Sequence, residues 1–255
     1  MENHIYIITG STQGLGLGIA EYIAKQKPNG LCICGRNKER GLAAKQKLEA
    51  LGCEVLFVET DLAKPEECQN LIAACDKKFH RIDGLVNAAG LTDRGTLDDT
   101  SVELWDKLFA TNTRAPFLLM QAAAKIMQRE KTAGSIVNIT TTGIYGGTAN
   151  LIAYCASKAA LATMTKSVAS GLKKDHIRVN AINLGWTDTP GERAIQIKEG
   201  QDEKWLDKVA KQMPFGRLIE PHDVAKLAWF LLTEQSGVMT GSLIDYEQRP
   251  IGCFD

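Results

Sequence analysis

Tyr154 and Lys158 stand four residues apart in a run of small residues, Ala153-Tyr-Cys-Ala-Ser-Lys158. On a helix that spacing points a phenol and an ammonium from one face. Thr141 precedes the tyrosine by thirteen residues and follows Ser135 to Thr140, an apolar run that reads as a strand. An α/β sheet keeps its ligand at the C-terminal ends of its strands. A hydroxyl, a phenol and an ammonium converging there suit proton exchange with a carbonyl or alcohol oxygen. A free tyrosine titrates near pH 10, roughly three units too high for base work at neutrality, and a neighbouring ammonium favours the phenolate. Taken alone, the Tyr-x-x-x-Lys pattern more often describes a surface pair on a helix. The rest of the chain has to decide.

A second constellation lies near the start. Thr9-Gly10-Ser11-Thr12-Gln13-Gly14-Leu15-Gly16 joins a strand-like run, His4 to Thr9, to a helical pattern reaching about Lys27. Glycines let a backbone turn tightly and approach a pyrophosphate, and a helix N-terminus offers free N–H donors and the positive end of its dipole. Ser11 and Thr12 add hydroxyl donors. Such turns also occur without ligands; the strand-turn-helix context is what points to a dinucleotide.

The elements that must hold these residues alternate regularly. Leu31–Gly35, Glu54–Val58, Gly84–Asn87, Ser135–Thr140, Arg178–Asn183 and a run near Ser242–Asp245 read as further strands. Between them lie helical patterns at Lys38–Leu51, Pro65–Phe79, about Ser101–Lys131, the Tyr154 segment and Pro221–Leu232, with a polar insertion at 187–215. This alternation implies parallel βαβ units, with helices on both faces of one sheet. The 255 residues, 44% hydrophobic, suit one large domain spanning 1–255. Thirty basic residues balance thirty acidic ones, which speaks against nucleic acid or an anionic membrane as partner. No segment reads as a signal peptide or a membrane span, and the seven cysteines lack metal-type pairs, so core thiols in a reducing cytoplasm are expected.

The Thr-Gly-x-x-x-Gly-x-Gly turn, Asn87-Ala88-Ala89-Gly90, Asn112 and Tyr154-x-x-x-Lys158, in this order, resemble the classical short-chain dehydrogenase/reductase family from about Ile5 to Asp245. The resemblance implies a Rossmann fold with a seven-stranded, parallel, doubly wound sheet, a nicotinamide cofactor and a homo-oligomer, tetramer or dimer. It implies proton exchange through Tyr154, with Lys158 tuning it and holding the nicotinamide ribose. Thr141 takes the family's serine position, with Thr140 or Thr142 as alternatives, because the distance from Ile139 to Gly143 is one residue short. Asn112 is the family's water-holding asparagine; it also reads as a cap at the kink that Pro116 predicts, since Pro116 has no N–H for the carbonyl of residue 112.

The resemblance further gives the adenine contact to Asp61 and Leu62, and sheet and cofactor support to Asn87–Gly90. It gives the nicotinamide amide and phosphates to the loop Gly185, Thr187 and Thr189, where Leu184 replaces the usual proline. Gly35-Arg36-Asn37 ends the second strand, near the adenosine ribose in this fold. An acid there would bind the 2′-hydroxyl; a guanidinium instead suits a 2′-phosphate, so NADP is expected ahead of NAD. Arg36 as a solvated loop charge is the alternative. The substrate is read as a small carbonyl or alcohol, with a sugar or polyol suggested by the polar tail Asp245 to Gly252, and 187–215 as its lid. Trp186, Trp205 and Met213 either line that pocket or pack. A 3-oxoacyl-(acyl-carrier-protein) reductase and a cofactor-binding sensor with little turnover are the competing functions.

Overall fold

A computed structural model describes residues 4–253. Seven strands, β1 (Ile5–Ile8), β2 (Gly30–Gly35), β3 (Glu54–Glu59), β4 (Gly84–Asn87), β5 (Ser135–Thr141), β6 (Arg178–Leu184) and β7 (Leu243–Tyr246), form one sheet in the order β3-β2-β1-β4-β5-β6-β7. Every pairing is parallel. Strand side chains alternate between two cores. Tyr6, Ile8, Leu31, Ile33, Val137 and Ile139 face helices α1 (Gly14–Ala24), α2 (Lys38–Glu49) and α9 (Pro221–Leu232). Ile5, Ile7, Cys32, Cys34 and Ile136 face α3 (Pro65–Phe79), α5 (Ala115–Glu130) and α6 (Ile152–Leu172). Strands buried on both faces need near-continuous apolar sequence, as the chain supplies.

Two expectations about the elements change. The long helix over 101–131 is α4 (Val102–Phe109), a π-helical turn at Ala110–Arg114, and then α5. The Ala115 N–H bonds back to Ala110, one residue wider than an α-turn, and Pro116 falls in the first turn of α5. The insertion at 187–215 holds two helices, α7 (Pro190–Lys198) and α8 (Trp205–Ala210). The sequence carried the sign of α7: Thr189 caps it by accepting from the Glu192 N–H at 3.2 Å, Pro190 opens it, and Glu192 sits in its first turn.

The strand order reverses between β1 and β4, so the loops after these two strands diverge there and leave a crevice. All the loops that carry the predicted residues leave the sheet at this C-terminal edge.

Candidate active site

At the crevice, Gly10 has φ +63°, and a Cβ on it would lie 2.8 Å from the Ala89 Cα. A Cβ on Gly16 would lie 2.5 Å from the Gly10 carbonyl oxygen. The turn and the start of α1 are thus packed backbone on backbone. Thr9 stitches the two loops together: its N–H donates to the Val86 carbonyl at 2.9 Å, and its Oγ1 accepts from the Ala89 N–H at 3.0 Å. Helix α1 has neither a side-chain cap nor an acidic residue in its first turn, so an anion meets no protein competitor at its N-terminus. Thr12, Gln13, Gly14 and Leu15 line the cleft there.

Ser11 does not serve as a phosphate donor. Its hydroxyl donates to the Ile8 carbonyl at 2.6 Å and accepts from the Cys34 N–H at 3.1 Å, and the residue is wholly buried. It ties β1 to β2 instead. Asn87 is likewise turned into the sheet, donating to Asn138 Oδ1 at 2.8 Å, while Ala88, Ala89 and Gly90 line the cleft.

At the far end of β2, Gly35 leaves room for the Thr12 side chain, and Arg36 and Asn37 line the cleft. The Asn37 carboxamide caps α2 on the Arg40 N–H at 2.8 Å. Arg40, which the sequence reading missed, also lines the cleft and donates to Gln13 Oε1 at 2.5 Å. It sits in the first turn of α2, its backbone N–H held by the Asn37 cap. Asp61 and Leu62 complete this end.

β5 delivers three threonines, and the structure separates them. Thr140 Oγ1 donates to the Ile182 carbonyl at 3.1 Å, and Thr142 Oγ1 to the Leu184 carbonyl at 3.4 Å. Thr141 alone of the three acts on the phenol of Tyr154, lowering its pKa against the effect of burial, while capping the Gly143 N–H at 3.1 Å. Lys158, one turn along α6, is buried, and its Nζ donates to the Ile139 carbonyl at 2.7 Å.

Burial lowers Lys158 to about 8. Burial likewise raises Tyr154 to about 12, against the opposing hydrogen bond from Thr141. The expected lowering of the phenol by Lys158 is therefore absent from the protein alone: the ammonium is engaged by a strand carbonyl, and desolvation of the phenolate wins.

Asn112 lies on the π-turn, fully buried. Its Oδ1 accepts from the Leu91 N–H at 2.9 Å, and its Nδ2 donates to the Leu91 carbonyl at 2.9 Å and to Ser157 Oγ at 3.0 Å. It clamps the loop after β4 to the helix that carries Lys158. A Cβ on Gly90 would lie 3.2 Å from Lys158 Nζ and 3.6 Å from Asn112 Oδ1, so these three residues meet at one point.

The cleft measures about 970 Å³. Its substrate end has charged walls that no motif announced. Arg94, from the loop after β4, pairs with Glu192 at 3.2 Å in the first turn of α7 and with Glu199 at 2.5 Å just past its end. Trp186 lines the cleft and stacks on Trp205, with ring centroids 5.9 Å apart; Trp205 and Met213 pack with Leu218 in a small separate core. The tail does reach the cleft: Glu247 and Arg249 line it. Gln248 holds the tail to the segment after α8, accepting from the Phe215 N–H at 3.0 Å and donating to the Arg217 carbonyl at 2.7 Å. Leu184, in the family's proline position, extends β6 by pairing with Thr141 and Tyr246, and Gly185, Thr187 and Thr189 follow along the cleft.

A family model described as enoyl-(acyl carrier protein) reductase matches residues 10–247. The chain belongs to the short-chain dehydrogenase/reductase family. It is 31% identical to galactitol 2-dehydrogenase of Agrobacterium fabrum over 92% of this chain and 93% of that one. It is also 31% identical to a 3-oxoacyl-(acyl-carrier-protein) reductase of Chlamydia pneumoniae, over 93% of each. An actinorhodin polyketide ketoreductase solved with NADPH superposes with a TM-score of 0.91 at 27% identity, covering 96% of both chains. As a short-chain dehydrogenase/reductase the protein is an oxidoreductase acting on carbonyl or CH–OH groups with a nicotinamide cofactor. The glycine turn, in which a Cβ on Gly10 or Gly16 would meet backbone, and the uncapped N-terminus of α1 fit the pyrophosphate of that cofactor.

Proposed function

We propose that this short-chain dehydrogenase/reductase prefers NADP(H) and interconverts a ketone and a secondary alcohol on a small polyhydroxylated substrate, a sugar or polyol. The observation that carries the reading is the convergence of Thr141, Tyr154 and Lys158 on one cleft. The nicotinamide, when bound, supplies or accepts the hydride and, oxidised, adds a positive charge beside the phenol. Gly10, Thr12, Gln13, Gly14, Leu15 and Gly16 hold its pyrophosphate. Arg36 and Asn37, with Asp61 and Leu62, flank its adenosine, Ala88–Gly90 support it, and Gly185, Thr187 and Thr189 meet the nicotinamide end.

In reduction Tyr154 gives its proton to the carbonyl oxygen; in oxidation it removes the proton from the alcohol. Thr141 donates a hydrogen bond to the same oxygen, its methyl narrowing the site. Lys158 holds the ribose hydroxyls and, when charged, favours the phenolate. Asn112 fixes the junction of loop and helix through which Lys158 exchanges its proton with water.

The substrate end carries Asp93, Glu192, Glu199 and Glu247 against Arg94 and Arg249. This acidic surplus disfavours an acidic carrier protein and an anionic substrate, whereas a neutral polyol finds donors and acceptors throughout. The galactitol dehydrogenase among the relatives supports the same class. Following NADPH absorbance with alditols, sugars, simple ketones and oxoacyl thioesters tests the reading; highest kcat/KM on an oxoacyl thioester would reverse it in favour of the carrier-protein reductase.

Arg36 and Arg40, with no acid at the end of β2, support the NADP preference. Arg36→Ala should weaken NADPH binding roughly 10–100-fold, as expected for a lost charge-assisted contact, and leave NADH binding nearly unchanged in a fluorescence titration. Equal loss for both cofactors would refute the preference.

Val102, Trp105 and Phe117 leave apolar surface exposed on α4 and α5, which supports assembly as a dimer or tetramer. Six buried free thiols support a reducing, cytoplasmic setting. We take 187–215, pinned by Arg94 and by the tail, as the substrate lid.

A further inference from the structure

Glu192 is held in an unusual way. Three donors converge on its Oε1: the Trp186 indole N–H at 2.9 Å, the Gln196 amide at 2.8 Å and the Arg94 guanidinium at 3.2 Å. Among the described residues nothing donates to its Oε2. The side chain is only 14% exposed, yet it lines the cleft. Tyr154 lines the same cleft.

A carboxylate oriented through one oxygen, with the other left over in a substrate cleft, is a preorganised acceptor. The immobilisation needed for recognition is already in place before a ligand arrives. Glu192 and Tyr154 line one cleft, and a polyol whose reacting carbon sits at the phenol presents its nearest further hydroxyls on the adjacent carbons. The local charge selects the donor. An ammonium there would lie next to Arg94, already shared by Glu192 and Glu199 at 3.2 and 2.5 Å, whereas a neutral hydroxyl gives a charge-assisted hydrogen bond without repulsion.

We propose that Glu192 is a specificity-determining residue that accepts, through Oε2, a hydrogen bond from a substrate hydroxyl on the carbon next to the one oxidised. The assignment rests on the polyol reading given above and narrows it: the substrate is a vicinal diol in oxidation and an α-hydroxyketone in reduction. Because Glu192 lies in the first turn of α7, the same bond ties the substrate to the lid. A site built around a hydroxyl rejects an analogue that lacks it, since its polar groups are then left unpaired.

The test compares two substrates on three proteins. A six-carbon alditol and its analogue lacking the hydroxyl adjacent to the oxidised carbon are assayed with the wild-type enzyme, Glu192→Ala and Glu192→Gln. The wild type should favour the alditol, and Glu192→Ala should lose roughly 10–100-fold more kcat/KM on the alditol than on the deoxy analogue. Glu192→Gln preserves the size and part of the packing and should show the same asymmetry at smaller amplitude. NADPH affinity, measured by fluorescence, reports whether each variant is folded around its cofactor. Equal losses on the two substrates would mean that Glu192 only supports α7, and the assignment falls while the polyol reading stands. A wild type indifferent to the missing hydroxyl overturns it too. If the wild type oxidises neither compound but reduces oxoacyl thioesters, the polyol reading and this assignment fall together.

Discussion

Tyr154→Phe lowers kcat/KM in both directions by roughly 10³-fold, inside the range a positioned proton donor contributes, with cofactor affinity unchanged. The ring keeps its place on α6; only the hydroxyl is lost. The pH dependence of the parent enzyme tests the same assignment. Reduction needs a protonated phenol, and with Tyr154 at about 12 that form persists through the whole neutral range. It also benefits from charged Lys158, whose proton leaves at about 8. The profile for reduction should be flat below pH 8 and fall above it. Oxidation needs the phenolate and should rise with pH. In Lys158→Met the limb near 8 should vanish from the reduction profile. A Tyr154→Phe enzyme with unaltered turnover would remove Tyr154 from the chemistry.

The second large effect is on binding. Gly16→Ala places its methyl 2.5 Å from the Gly10 oxygen, 2.7 Å from the Gly10 carbon and 2.9 Å from the Thr9 oxygen. All three neighbours are backbone, so no side chain can rotate aside, and α1 must shift away from the turn proposed to hold the pyrophosphate. NADPH affinity should fall by at least ~10²-fold, and unfolding stability by about 1–3 kcal/mol, the usual cost of overpacking. Gly171→Ala is the control: it lies in α6 with open space around it, and helix propensity predicts a gain of up to about 1 kcal/mol. Titration of NADPH fluorescence and thermal melting separate the two outcomes. If Gly16→Ala bound NADPH like the parent, the turn would not be the pyrophosphate cradle.

What the sequence made legible followed from regular periodicity and special backbone residues. Helix α3, with Pro65 in its first turn, strand β4 and helix α9 lie where their patterns put them. The βαβ alternation led to the seven-stranded parallel sheet, and Gly10 and Gly16 are forced by contacts no other residue could make. The π-turn escaped because it differs from an α-helix by one bond, not by pattern. Ser11 was misread because a hydroxyl at a phosphate turn resembles a donor to ligand, whereas its bonds go to the neighbouring strand. Arg40, Glu192 and Arg249 were invisible for a different reason. They reach the cleft from the turn of a helix, from the lid and from the tail, and such convergence is a property of the folded chain, not of any local spacing.

The distribution of thiols makes the molecule its own reporter of opening. Cys32, Cys34, Cys68 and Cys75 sit in one core and Cys53 in the other, Cys155 lies under the cleft wall, and Cys253 is exposed. A thiol reagent meets Cys253 at once, reaches Cys155 through local motion of the cleft, and reaches the strand cysteines only when the sheet comes apart. Modification rates read residue by residue therefore separate breathing of the site from global unfolding in the unlabelled parent protein. NADPH should retard Cys155 selectively, and Cys253 should not notice it.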